Sequence, residues 1–174
     1  MKRSLSLKWM LVVLIALFMV TGCDDDTVDD IIDLGTLSVT LGDEVYDFAL
    51  VEAVEAEDMI VIAGADAVSD TAIFTLMVAS DIEPGTNHLE AGPDGKVVLK
   101  SEEFDSEFFA IWYKGMEDAY YSESGSLTVE KHDKGAKEIK GSFLLVMKKG
   151  DGTTLDANDG KFNVKYQSYD EIPE

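Results

Sequence analysis

Short stretches in which apolar and polar residues alternate recur through the chain from residue 35 onward. Leu37, Val39 and Leu41, for example, alternate with Ser38 and Thr40. Because successive side chains of a β-strand point to opposite faces, a period of two predicts strands that bury one face. No strong amphipathic helical pattern interrupts these stretches. The alternation therefore predicts an all-β domain over residues 35–170.

Turn-forming residues separate the predicted strands. Glycine tolerates positive φ and proline presets φ, so these residues indicate where the chain reverses. The expected turns lie at 42–43, 84–85, 92–95, 132–135 and 158–160. The expected strands include 59–63, 71–79, 96–100, 108–114 and 139–148, and the segment 71–79 is apolar on both faces, as in a central strand. Residues 52–58, rich in Ala and Glu, could instead form a helical turn. About nine or ten strands in this arrangement predict an antiparallel β-sandwich or a closed barrel.

The N-terminal residues have the order of a secretory signal. Lys2, Arg3 and Lys8 precede an apolar run over 9–20, which small residues follow. A membrane-spanning helix needs roughly 20 apolar residues, so this shorter run favours a cleaved signal over a permanent span.

The segment Val20-Thr21-Gly22-Cys23 resembles the lipobox of bacterial lipoproteins. That resemblance implies a signal peptide over 1–22 and a diacylglycerol group attached to Cys23, the first residue of the mature protein. Acylation by palmitate-type chains would then hold the protein on a membrane. The alternative is a secreted protein cleaved near Gly22 with a free thiol. Cys23 is the one cysteine of the chain, so no intramolecular disulfide can form.

Residues 23–34 are predicted to form a flexible acidic tether, because this stretch has too few apolar side chains to order itself. Aspartates after a lipidated cysteine resemble two opposing sorting signals, one for retention in the inner membrane and one for export to the cell surface. We expect an envelope location in the outer membrane, facing either the periplasm or the surface.

The charge of the chain is unevenly distributed. Residues 24–95 carry 19 Asp or Glu and no Lys or Arg, whereas residues 96–174 carry 16 acids and 11 lysines. Loss of the three basic residues of the signal would change the formal charge from −21 to −24. Nucleic acid is excluded as a partner because phosphate binding needs clustered basic residues. The acidic half is either a solvated surface, which the pattern favours, or a surface for a basic partner or divalent cations.

The C-terminal half contains a glycine-led strand at 125–129, a G-x-F strand at 141–143 and a final G-x-F-x-V strand at 160–164. In these motifs it resembles β-rich lipoprotein families of unknown function that are common in Bacteroidetes. The resemblance implies a fold and a cellular location rather than an activity.

Four oxygen-bearing residues gather near the last predicted strand and suit calcium, which prefers hard oxygen ligands. They are Asp151, Asp156, Asn158 and Asp159. Their spacing does not match an EF-hand loop, and an ordinary turn rich in Asp and Asn is the favoured interpretation. No cofactor is expected.

Aromatic residues concentrate between residues 104 and 121. Trp112, Tyr113, Tyr120 and Tyr121 are the candidates for a stacking surface that would bind a glycan, a protein or an apolar ligand. Aromatic strands more often build a core, and core packing is the favoured fate of Trp112.

No catalytic motif is present. The serines at 122–126 lack the spacing of a nucleophile elbow, and His132 falls in an expected turn. We therefore expect a lipid-anchored, non-enzymatic binding or structural module. The alternatives are a lipocalin-like carrier of a small apolar ligand and an acidic envelope hydrolase.

Overall fold

The described part of the protein is entirely β-structure. The structure is a computed structural model, and it describes residues 35–66, 72–89, 108–115 and 118–169. These residues form eleven strands and no α-helix. The strands are β1 (Gly35–Leu41), β2 (Glu44–Asp47), β3 (Leu50–Ala56), β4 (Met59–Ala65), β5 (Ala72–Ala79), β6 (Gly85–Leu89), β7 (Phe108–Lys114), β8 (Asp118–Asp133), β9 (Glu138–Lys149), β10 (Thr154–Lys165) and β11 (Gln167–Ser168).

All of these strands belong to one strongly curled, open sheet. Its order is β11-β3-β4-β5-β7-β8-β9-β10-β1-β2, and β6 pairs with the second half of β8. Every pairing is antiparallel except that of β11 with β3. The all-β prediction is confirmed. The finer prediction of a sandwich or a closed barrel is not confirmed by the described strands.

The inner face of the curled sheet is filled with large apolar side chains. Trp112, Phe74, Phe108 and Phe162 are each at most 1% exposed. Phe74 and Phe143 stack nearly parallel across the interior, with ring centroids 5.3 Å apart. Burying side chains of this size stabilises a fold by roughly 1.5 to 3 kcal/mol each. With no disulfide available, this packing is the main source of stability.

The β1–β2 hairpin packs against the strands in the middle of the sheet. A Cβ atom on Gly64 of β4 would lie only 2.6 Å from Cγ of Phe48 and 2.8 Å from Cδ2 of Leu37. Contacts that short would force those side chains to move, so a glycine is needed at this position of β4. The turn of this hairpin is the predicted one at Gly42 and Asp43, and Gly42 has a φ of +60°.

Two predicted strands match the structure closely. The predicted strand 108–114 coincides with β7, in which Phe108, Ala110 and Trp112 face inward as expected. The predicted central strand 71–79 corresponds to β5, where seven of the eight residues are buried. A strand without an exposed face shows no alternation of apolar and polar residues. The strand β5 was therefore predicted from its continuous apolar run.

The predicted helical turn at 52–58 is wrong. Most of this stretch lies in β3, which pairs over its whole length with β4, and only the last two residues form a turn. The high helix propensity of Ala and Glu is overridden because pairing with β4 satisfies the backbone and buries Ala53.

The predicted turn at 158–160 is also wrong. These residues lie inside β10, where the register shifts against both neighbouring strands. Asp159 has a φ of +51°, and both Asn158 and Asp159 are exposed while Gly160 is buried. The sequence Asn-Asp-Gly therefore forms a β-bulge, because the residues that favour positive φ in turns also favour it in bulges.

The predicted turn at 132–135 lies two residues too early. The strand β8 continues to Asp133, and residues 134–137 form the turn. Oδ1 of Asp133 accepts a hydrogen bond from the backbone N–H of Ala136 at 2.9 Å, which stabilises the turn. The predicted signal and tether, 1–22 and 23–34, lie outside the described residues, as do the turn 92–95 and the strand 96–100.

Candidate functional site

The outer face of the sheet, opposite the filled interior, has two halves of different chemistry. On β9 and β10 most outward positions are polar, as expected for a face in contact with water, and they include Lys140, Ser142, Lys161 and Asn163. Leu144 and Val146 of β9 are the apolar exceptions. On β5, β7 and the first part of β8 the outward positions are almost all apolar. A single-layer antiparallel sheet with one solvated face would carry polar residues there, so this half is exceptional.

The apolar half is formed by neighbouring residues on three adjacent strands. Cross-strand pairing places Met77 beside Phe109, Thr75 beside Ile111, and Ile111 beside Tyr121. We call this surface the outer patch. It consists of Ile73, Thr75 and Met77 of β5, Phe109, Ile111 and Tyr113 of β7, and Tyr121 of β8.

The centre of the outer patch is buried. Ile111 is 5% exposed and Met77 is 6% exposed, yet neither belongs to the group of side chains packed inside the curled sheet. Thr75 is 3% exposed, and its Oγ1 atom has no hydrogen-bond partner among the described residues. A buried hydroxyl without a hydrogen-bond partner destabilises a fold. The hydroxyl of Thr75 is such a group, and it lies at the centre of the patch.

Aromatic rings form the margin of the outer patch. Phe109 and Tyr121 stack at a centroid distance of 6.1 Å with their planes inclined by 23°. Tyr121 is 44% exposed, so the outer edge of the pair is available to a partner. Burial, with a smaller contribution from Tyr121, raises the pKa of the Tyr113 phenol, which therefore stays neutral at physiological pH.

The outer patch carries no charged side chain. On its β9 side the patch borders Lys148, which is paired with Tyr121 and forms an ion pair with Glu123. On its β3 side lies Glu52, which is paired with Ala63, and Ala63 is in turn paired with Thr75. Glu52 is half-buried, and this burial raises the pKa of its carboxyl group. In a chain with a formal charge of −21, an uncharged surface extending over three strands is a marked local exception.

The four aromatic candidates do not share one surface. Trp112 is 1% exposed on the inner face, and Tyr120 is partly buried against the same core, so neither can belong to an outward stacking surface. Tyr113 and Tyr121 do lie on the outer face and belong to the outer patch. Core packing of Trp112 is confirmed.

Five members of the outer patch were missed by the sequence analysis. They were assigned to strands but not to a site, and they are Ile73, Thr75, Met77, Phe109 and Ile111. The pattern contained a usable signal: β5 and β7 are apolar at both alternating sets of positions, and only one set can fill the interior of a single sheet.

The four calcium candidates are spread along β10 and the turn before it. Oδ1 of Asp151 accepts a hydrogen bond from the backbone N–H of Thr153 at 2.9 Å, and this bond lowers the pKa of Asp151. Asp156 lies at an exposed position of β10, and Asn158 and Asp159 belong to the bulge. Among the described residues, no group of three His, Cys, Asp or Glu side chains is arranged to hold a metal ion.

The residues considered for catalysis have structural partners. Nδ1 of His132 lies 2.9 Å from the carbonyl oxygen of Ile82, and Nε2 lies 3.1 Å from the hydroxyl of Tyr166. Both ring nitrogens are therefore engaged. Ser122 is fully buried, and its Oγ atom accepts a hydrogen bond from the backbone N–H of Ala110. His132 and Ser122 thus help to hold the fold together.

Comparison with known proteins identifies no relative. No protein-family model matches the chain, and neither a curated protein nor a solved structure matches it. Within the described ranges, there is no helix that is both long and apolar enough to cross a membrane. Cys23, the predicted lipidation site, lies outside those ranges.

Proposed function

We propose that the protein is a lipid-anchored component of the bacterial cell envelope whose β-domain is a non-enzymatic binding module. In this proposal Cys23 carries the lipid, and the exposed aromatic margin of the outer patch at Tyr121 binds an apolar surface of another envelope protein. The predicted lipobox supports the anchor, and the chemistry of the outer patch supports the binding role.

The observation that carries the binding role is the composition of the outer patch. The cores of protein interfaces are depleted in charged residues and enriched in aromatic residues and Met. The outer patch has three aromatic rings, one Met and no charge, on a chain in which 28% of residues are charged.

The filled interior favours a binding module over a lipocalin-like carrier. A carrier needs an internal cavity of about 300 to 1,000 Å³ lined by apolar side chains. The inner face instead holds Trp112, Phe74 and Phe143 in mutual contact, and these rings occupy the space that an internal ligand would need.

The hydrogen bonding of His132 and Ser122 disfavours the hydrolase alternative. A nucleophile and its base must lie within hydrogen-bond reach of each other and of a substrate. Ser122 is turned inward, and His132 has both ring nitrogens engaged.

We also propose that the complete domain is barrel-like rather than a sandwich. All described strands lie in a single sheet, whereas a sandwich has two sheets. The chain passes directly from β10 through Tyr166 into β11, which pairs with β3 near the other end of the strand order.

Site-specific photo-crosslinking tests the binding role. A photoreactive phenylalanine analogue would replace Tyr121 in the outer patch, or Leu144 on the polar half as a matched control, since Leu144 is 53% exposed. In intact cells we expect a discrete protein adduct from position 121 that position 144 does not give. The substitution Phe109→Lys should abolish this adduct while the protein stays folded. Equal adducts from the two positions, or an adduct that survives Phe109→Lys, would contradict the proposal.

A further inference from the structure

We infer that the free edge of β2 binds an extended, basic peptide, which adds to the sheet as a further strand. Among the described strands, β2 pairs only with β1 and stands at one end of the strand order. An edge strand presents unpaired backbone groups, and peptide recognition by strand addition uses these groups. This surface is separate from the outer patch.

The direction of the backbone groups follows from the β1–β2 hairpin. The two-residue turn makes Leu41 and Glu44 its closing pair, so backbone groups of β2 point alternately toward β1 and away from it. The backbone N–H of Phe48 donates to the carbonyl oxygen of Leu37 at 3.1 Å, as this alternation requires. Val45 and Asp47 therefore direct their N–H and C=O groups toward the free edge.

A groove runs beside this free edge. It has a volume of about 430 Å³ and is lined by Asp66 at the end of β4 and by residues 44–48. An extended peptide of a few residues needs a channel of this kind next to the strand that it joins. The residues of the free edge, Val45 and Asp47, belong to the lining of this groove.

The charge of the groove selects a basic peptide. Among the described residues, its lining carries the carboxylates of Glu44, Asp47 and Asp66 and no Lys or Arg. Lys114 forms an ion pair with Glu44 at 3.0 Å, so three carboxylates and one ammonium group are described beside the groove. An acidic strand, including one from a second copy of this chain, would be repelled.

The edge is held in a fixed position for binding. The ring of Tyr46 packs edge to face on Trp112 at 4.8 Å, and the ring of Phe48 lies 6.4 Å from that of Phe74. The inward side chains of the strand are thus fixed in the core, while Val45 is 69% exposed on the other side. A pre-ordered edge lowers the entropic cost of adding a strand.

Fluorescence anisotropy with labelled peptides tests this inference on the full-length protein in detergent micelles. The probe is a peptide of about eight residues that alternates Lys and Val, a length typical of strands. A first control peptide is N-methylated at alternate residues, which keeps the charge but blocks backbone pairing. A second control has Glu in place of Lys. The variant Val45→Pro removes an edge donor without removing a bond to β1.

We expect saturable binding of the Lys-Val peptide, and binding at least about tenfold weaker for the N-methylated peptide and for Val45→Pro. Hydrogen exchange of the Val45 and Asp47 amides should slow when the peptide binds. Absence of binding up to about 1 mM peptide would overturn the inference. Equal affinity for the N-methylated peptide would also overturn it, since charge attraction alone would then explain the binding. Because the N-methylated peptide needs no substitution in the protein, the test holds even if Val45→Pro fails to fold.

Discussion

The rings of Tyr46 and Trp112 meet edge to face, with centroids 4.8 Å apart and planes inclined by 61°. Tyr46 lies on the edge strand β2 and Trp112 on the central strand β7, so this contact joins the end of the curled sheet to its middle. Phe48 also contacts the ring of Trp112, at 6.4 Å. Trp112 is therefore the side chain on which the β1–β2 hairpin packs.

Replacing Trp112 by Ala should destabilise the domain strongly. Truncation of a large buried aromatic ring costs about 3 to 5 kcal/mol, a large part of the stability of one domain. Urea denaturation measures the change, and Tyr121→Ala at the exposed margin of the outer patch serves as the control with a small expected effect. Trp112 is also the one tryptophan after residue 9, so processed protein should show blue-shifted emission that iodide quenches poorly. Red-shifted emission and unchanged stability of Trp112→Ala would contradict the core assignment.

Replacing Cys23 by Ser should release the protein from membranes. A thioether cannot form on a hydroxyl, and anchoring in this account depends on acyl chains attached at this residue. Fractionation of cells followed by extraction at high salt measures the effect, with Ser38→Ala, at a half-buried position of β1, as a control. Continued membrane association of processed Cys23→Ser would exclude the lipid anchor.

The substitution Glu52→Gln should stabilise the protein at neutral pH. Burial raises the pKa of Glu52 above its ordinary value of 4.5, so the folded state binds more protons than the unfolded state between these two pKa values. Stability therefore falls as pH rises through that window, and the loss is complete above the raised pKa of Glu52. Thermal melts should show a higher midpoint for Glu52→Gln than for the wild type at pH 7, with the difference vanishing below pH 4.5. Glu83→Gln, at an exposed position, is the control. A lower midpoint for Glu52→Gln at pH 7 would mean that the ionised carboxylate has a stabilising partner.

Added salt should raise the melting temperature. The acidic first half of the chain repels itself, and salt screens charges separated by more than about 10 Å at 0.1 M ionic strength. Melts in increasing NaCl at constant pH measure the effect. A midpoint that stays constant or falls would show that the carboxylates are already compensated, as Glu44 is by Lys114 and Glu123 is by Lys148.

The sequence predicted those parts of the fold that depend on local alternation. The bounds of β7 follow from its run of aromatic and apolar residues, and the inward position of Trp112 follows from the preference of aromatic strands for a core. The bulge at Asp159 could not be distinguished from a turn, since both use residues that tolerate positive φ. Whether β10 continued past the bulge depends on its pairing with β1 and β9, which no local pattern encodes.

The candidate site was predicted only in part. Tyr113 and Tyr121 were identified as aromatic residues near the surface, but their grouping with Met77 and Thr75 depends on which strands are neighbours. The free edge of β2 likewise depends on the strand order of the whole sheet. Strand order is set by contacts between residues far apart in the chain, and a single sequence does not specify them.

A pair of matched charge insertions tests the binding role of the outer patch most directly. Tyr121→Glu and Leu144→Glu each place one carboxylate at an exposed apolar position of the outer face, the first inside the outer patch and the second outside it. The measurement is the size of the native complex that contains the protein, in mild detergent extracts of cell envelopes. We predict that Tyr121→Glu reduces the complex to the free protein, whereas Leu144→Glu leaves it intact and both variants keep the wild-type melting temperature. Complexes of equal size for the two variants would contradict the account.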